Sequence, residues 1–114
     1  MGVENCIFCK IVRKEIPSKI VYEDEDTLAF DDINPQAPVH TLVIPKKHIP
    51  NLMELEDSNL LSSIFRTIKQ VVRIKNLEND GFRVVVNYLH KGGQTVFHLH
   101  FHILGGRQMT WPPG

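Results

Sequence analysis

The chain has 114 residues, 42% of them hydrophobic and 23% charged, with a formal net charge of zero at pH 7. That length fits one domain, residues 1–114, with a real core and no room for a second. The neutral balance argues against a nucleic-acid surface, because basic runs such as Lys46-Lys47 stop at two residues. No stretch reads as a membrane span or a secretory signal, so a cytoplasmic protein is expected, or also a nuclear one in a eukaryote.

Cys6 to Lys14 predicts a short helix, stopped before Pro17. It contains both cysteines of the chain, as Cys6-Ile7-Phe8-Cys9. In a reducing compartment such a pair is read as metal-binding or redox-active rather than as a structural disulfide. Ile20–Glu23 and Thr27–Phe30 predict short strands, with the acidic run Glu23 to Asp26 as a solvated turn between them. Asp31 to Pro38, with two prolines, predicts an ordered loop. Thr41 to Pro45 predicts a buried strand.

Asp57 or Ser58 can cap a long helix. Its apolar residues Leu60, Leu61, Ile64, Phe65, Ile68, Val71 and Val72 recur at the helical period and predict a core or interface stripe. Asn79-Asp80-Gly81 breaks the chain, and Phe82 to Asn87 predicts another strand. The prolines of Trp111-Pro112-Pro113-Gly114 exclude helix or central strand from the tail. Several strands and one long helix predict an α+β fold with a mostly antiparallel sheet.

The last predicted strand is His98-Leu99-His100-Phe101-His102-Ile103-Leu104. Side chains alternate along a strand, so three imidazoles share one face and Leu99, Phe101 and Ile103 the other. Histidine exchanges its proton near neutral pH, so such a face suggests proton handling or nucleophilic attack. One metal site using all three is disfavoured, because His98 and His102 would start about 13 Å apart on a strand. Just upstream, Lys91-Gly92-Gly93-Gln94-Thr95 reads as a turn, or as a loop whose backbone N–H groups approach a phosphate, with the Thr95 hydroxyl as a further donor.

The spaced triplet resembles the His-φ-His-φ-His-φ-φ signature of the histidine-triad (HIT) superfamily. Phe30 to His40, Val43 to His48, Gly92 to Thr95, Gly105 to Met109 and Trp111 to Gly114 all resemble its nucleotide-binding (HINT) branch. This resemblance implies a five-stranded, mostly antiparallel sheet with one long and one short helix, dimerising into a ten-stranded sheet. It implies a hydrolase that cleaves the P–N bond of purine nucleoside phosphoramidates, the purine nucleotide (AMP or GMP) derivatives being its partners, through a nucleotidyl-histidine. His100 would be the nucleophile. His102 would bond phosphate oxygens or assist the leaving group, and His40 would belong to the proton relay. Asn87, Gly93, Gln94, Thr95 and His98 would lie around the phosphate, and Asp32 would accept from the ribose hydroxyls. Ile33, Phe30, Phe8 and Ile16 would form the base slot, although each taken singly also suits an ordinary core.

Threonine stands at Thr95 where that branch more often has serine, and Tyr88-Leu89-His90-Lys91 replaces small, acidic residues. In zinc-bearing members, histidines at the positions of His48 and His98 join the two cysteines, so the resemblance implies a structural zinc on Cys6, Cys9, His48 and His98. Other readings are a dinucleotide polyphosphate hydrolase of the same superfamily and a non-catalytic purine-nucleotide adaptor. A metal-buffering protein would leave Asp32 and the glycine loop without a task.

Overall fold

The computed structural model describes residues 3–114. Five antiparallel strands form one sheet in the order β1-β2-β3-β5-β4: β1 Ile20–Glu23, β2 Thr27–Asp31, β3 Val39–Pro45, β4 Phe82–Val86 and β5 Phe101–Gly105. Two main helices, α1 Ile7–Val12 and α2 Ser58–Ile74, take opposite faces. A single turn, α3 Leu89–Gly92, precedes the triad segment.

Local chemistry sets the boundaries. Asp24 closes the β1–β2 turn by accepting from the N–H groups of Asp26 and Thr27 and from the Thr27 hydroxyl. Asp57 rather than Ser58 caps α2, its carboxylate accepting from Asn59 and Leu60. The sheet face under α2 buries Ala29, Val43, Phe101 and Ile103 against Ile64, Ile68, Val71 and Val72. The opposite face packs Leu28, Phe30, Leu42 and Ile44 against Phe8, Cys9 and Ile11 of α1. Alternation along β3 puts His40 on that second face, beside Leu42.

The periodic stripe on α2, expected as core or interface, divides between core and surface. Leu61 and Phe65 are exposed, whereas Ser63 and Thr67 are buried. The reason is a polar seam: the Thr67 and Thr27 hydroxyls meet at 2.6 Å, which turns that flank of the helix toward the sheet. Strand β3 begins at Val39, two residues early, because β5 extends to Gly105 opposite it. Strand β4 ends at Val86, one residue short of Asn87.

The triad segment also differs. Strand β5 starts only at Phe101, so His98 to His100 lie outside the ladder. Their backbone bonds elsewhere: Leu99 N–H donates to the Ile49 carbonyl, and the His98 carbonyl accepts from the His100 ring. The two-faced pattern survives nonetheless, with Leu99, Phe101 and Ile103 in the α2 core and the imidazoles on the α1 side.

One glycine lets the Asp32 loop sit against the end of β5. A Cβ on Gly106 would sit 2.9 Å from Pro38, and its φ of +87° already favours glycine. Next to it, Arg107 donates twice to the Gln36 carbonyl, at 3.1 and 3.2 Å.

Candidate functional site

A cleft of about 410 Å³ opens between α1, the Asp32 loop and the triad segment. Phe8 and Ile16 form one wall, Phe30 and Leu42 the floor, and Ile33 and Thr95 lie at its margin with Asp32, His40, His100 and His102. Phe8 stands edge-on to Phe30 at 5.5 Å. Ile33 is 98% exposed, an apolar side chain held at the rim of the cleft rather than in the core. A wider groove of about 690 Å³ shares Asp32, Ile33 and His40 but reaches no member of the triplet, so the chemistry belongs to the smaller cleft.

The imidazole tautomers follow from their partners. His100 Nδ1 lies 2.7 Å from the His98 carbonyl, which can only accept, so Nδ1 carries the proton. Nε2 then holds a lone pair. His40 Nδ1 accepts from the Gln36 N–H at 3.0 Å, so its proton is on Nε2. That proton points to His102 Nδ1 at 2.9 Å, with the Asp32 carboxylate 3.4 Å away. His102 therefore accepts at Nδ1 and carries its own proton on Nε2. This Nε2 is buried and has no partner among the described residues. A buried N–H donor left unpaired is costly, so this group needs an acceptor in the cleft, a water or a ligand oxygen.

Burial keeps the three imidazoles neutral. It lowers His40 and His100 and pushes His102 down to about 4, with the neighbouring His100 and His40 adding to the shift on His102. A neutral nucleophile-competent imidazole thus stands beside a neutral N–H donor at physiological pH.

The remaining expected residues divide. His98 is fully buried away from the cleft, its Nε2–H donating to the Pro45 carbonyl at 2.8 Å. Gln94 is committed to bracing the loop: its side-chain N–H groups reach the carbonyls of Pro50 and Val96, and its oxygen accepts from Leu89. Gly93 is exposed, with φ +84°, and its N–H bonds the His90 carbonyl inside the turn. Asn87 is half-buried behind Gly92, outside the cleft lining. Of that loop, Thr95 and Val96 line the cleft. Leu42, Gln36 and Arg107 escaped the sequence reading. The period-two spacing of Leu42 from His40 was the available signal for the first; no local pattern marks the others.

Behind the cleft, Cys6, Cys9, His48 and His98 each offer a ligand atom, all within 4.8 Å of one another. Cys6 Sγ is 3.3 Å from His98 Nδ1, Cys9 Sγ 3.5 Å from it and 3.3 Å from His48 Nδ1. Tetrahedral zinc with ordinary Zn–S and Zn–N bonds has S···N edges of about 3.5 Å, so the donor set fits. Burial and the adjacent Cys6 sulfur push the Cys9 thiol up to about 11, and burial pushes His98 down to about 4. His98 is thus a neutral donor, while the Cys9 thiol would become a thiolate on binding a cation.

With this arrangement in view, the chain was compared with known proteins. The HIT domain family model matches residues 13–109. An uncharacterised HIT-like protein of Synechococcus elongatus is 53% identical over 113 residues, covering 97% of this chain and 98% of the relative. Another from Synechocystis is 54% identical with the same coverage. A HIT family hydrolase from Legionella pneumophila Philadelphia 1 superposes with a TM-score of 0.93 at 52% identity, over 96% of this chain and 100% of that one. A histidine triad protein from Clostridium difficile gives 0.91 at 46% identity, over 96% and 97%. The shared sheet and the family match leave one conclusion: this chain belongs to the HIT domain family.

Proposed function

We propose that the protein is a nucleotide-binding hydrolase of the HINT branch that cleaves the P–N bond of purine nucleoside phosphoramidates. The observation that carries this reading is the pairing of a free Nε2 lone pair on His100 with an unpartnered Nε2–H on His102. One is a nucleophile and the other a donor for the charge of a phosphoryl group. Asp32 supplies two acceptor oxygens for ribose hydroxyls, and the slot of Phe8, Phe30, Ile16 and Ile33 suits a flat base.

In this mechanism His100 Nε2 attacks the α-phosphorus. The P–N bond breaks, and the amine leaves with a proton taken from solvent at the mouth of the cleft. The Nδ1–H bond to the His98 carbonyl supports the positive charge that develops on the ring. Water then attacks the phosphorus of the nucleotidyl-histidine, giving a proton back to solvent as the N–P bond breaks and the His100 ring returns to its neutral form, and releases the nucleoside monophosphate. His102 Nε2–H holds a phosphoryl oxygen in both steps, and His40, held by Gln36, keeps His102 in the donating tautomer.

The Cys6–Cys9–His48–His98 cluster fits a structural zinc, which would cross-link α1 to the triad segment. No helix among the described residues is long and apolar enough to cross a membrane. Strand β4 lies at the sheet edge with Phe82 and Val84 exposed, which supports pairing with a second copy into a ten-stranded sheet.

Steady-state hydrolysis of adenosine and guanosine phosphoramidates beside a dinucleotide polyphosphate tests the reading. Preferred turnover of the phosphoramidates is expected. Faster cleavage of the polyphosphate would move the protein to the other enzymatic branch, and tight nucleotide binding without turnover would favour an adaptor.

A further inference from the structure

The cysteine–histidine cluster and the cleft share one short helix and one bend of backbone. Cys6 and Cys9 bracket Ile7 and Phe8, and both of these bracketed residues line the cleft. Phe8 stands edge-on to His98 at 5.9 Å, to His100 at 5.1 Å and to Phe30 at 5.5 Å. His98 faces the cysteine sulfurs with its ring, and its carbonyl accepts the His100 Nδ1–H at 2.7 Å. The same four donor atoms therefore abut one wall of the slot and the backbone group that fixes the nucleophile's tautomer.

Helix α1 has only six residues, too few to be stable by itself. Its N-cap is the Cys6 sulfur, which accepts from the Cys9 N–H at 3.3 Å. Its placement therefore depends on the packing of Phe8 and Ile11 against the sheet and on what holds the two sulfurs. Without a cation, the thiols bond weakly to His48 and His98 as neutral partners; with one, four bonds cross-link α1, the segment after β3 and the triad segment.

We propose that metal occupancy of the Cys6–Cys9–His48–His98 cluster sets the nucleotide affinity of the cleft, with Phe8 as the positioning residue that carries the constraint to the base slot. This rests on the nucleotide reading of the cleft. It goes beyond a stabilising role for the cluster, because it assigns a binding consequence to its occupancy. Loss of the cation frees α1, the Phe8 ring loses its fixed place between Phe30 and His100, and the slot opens.

The test compares full-length protein loaded with zinc and stripped by a chelator. Adenosine monophosphate binding is measured by calorimetry, and far-UV circular dichroism monitors the fold. The stripped, folded protein should bind at least about tenfold more weakly and recover on zinc addition. Equal affinity in the two forms, with unchanged circular dichroism, overturns the proposal.

Should stripping unfold the chain, Phe8→Leu decides in the loaded state. Cobalt substitution should show an unaltered thiolate-to-cobalt absorption band while nucleotide affinity falls about tenfold; unchanged affinity overturns the proposal. A wild-type loaded protein that binds no nucleotide at all would instead remove the functional reading on which the proposal rests.

Discussion

His40 Nε2 lies 2.9 Å from His102 Nδ1, and the Gln36 N–H on the far side of His40 makes that contact directional. A backbone N–H can only donate, so it dictates where the His40 proton sits and, in turn, where the His102 proton sits. His102→Ala removes the donor that meets the phosphoryl oxygens. We expect kcat to fall on the order of 10²–10⁴-fold, the range typical of a positioned proton-donating group. The check is steady-state kinetics with an adenosine phosphoramidate.

Arg107 acts one step further back, holding the Gln36 carbonyl from an exposed position. Arg107→Met should loosen the loop and let His40 sample the other tautomer. The expected loss is roughly tenfold in kcat, with Tm nearly unchanged, because surface substitutions away from such features stay within about 0.5 kcal/mol. Substitution with lysine, which restores a single donor, should recover part of the rate. A Tm loss of many degrees would mean that the contact serves the fold instead.

His100→Ala should abolish turnover while largely sparing nucleoside monophosphate binding, since Asp32 and the Phe8–Phe30 contact remain when that ring is gone. Loss of the nucleophile removes the reaction path, so several orders of magnitude are expected. Asp32→Ala should do the reverse, weakening binding more than the chemical step. Rapid quenching followed by mass mapping should place a nucleotidyl adduct on the His100 peptide of the wild type. An adduct elsewhere would refute the assignment.

Stability should depend on pH through His102. Burial holds its native pKa at about 4, below the ordinary value of 6.5, so the unfolded chain binds this proton first. The stabilisation is therefore complete above about pH 6.5 and declines as pH falls toward 4. Discounted for partial solvent contact, the loss is on the order of 1 kcal/mol. Thermal melts from pH 7.5 to 4.5 should fall more steeply for the wild type than for His102→Asn. Parallel curves would contradict the buried neutral ring.

Light scattering at micromolar concentration should find a dimer, and a charged residue at the exposed Val84 of β4 should give monomers. The tail is tied to the same strand: Arg83 donates to the Thr110 carbonyl at 3.0 Å and lies 5.9 Å from the centre of the Trp111 ring. Deleting residues 111–114 should alter substrate preference more than stability. A monomeric wild type would remove the pairing proposed for β4.

The alternation of His98 to Leu104 made the two-faced triad segment legible, because apolar and imidazole side chains take turns there. The strand start was not legible: His98 to His100 leave the ladder through contacts to Pro45 and Ile49, which are distant in sequence. The same limit applies to Gln94. Its place beside two glycines suggested an anion loop, but its amide is spent on Pro50 and Val96. Periodicity marked the α2 stripe as core or interface without telling which residues are which, and it could not anticipate a hydroxyl pair such as Thr27–Thr67, which brings Thr67 into the core. The metal-competent cluster was found through resemblance, since nothing in local spacing joins Cys6 to His98.

The two borders of the sheet are unlike. Strand β1 departs from regular pairing between Ile20 and Tyr22, and its Glu23 is clasped by Lys14 and Lys46 at 2.7 Å each. Irregularity and fixed charge are what discourage a further strand from docking there. Strand β4 pairs regularly along its length and has Arg83 alone as a charged residue, which is turned to the tail at Thr110 and Trp111. In the proposed dimer, two copies joined back to back through β4 would leave only the guarded sides outward. Such an assembly closes on itself at two and cannot polymerise into a fibre.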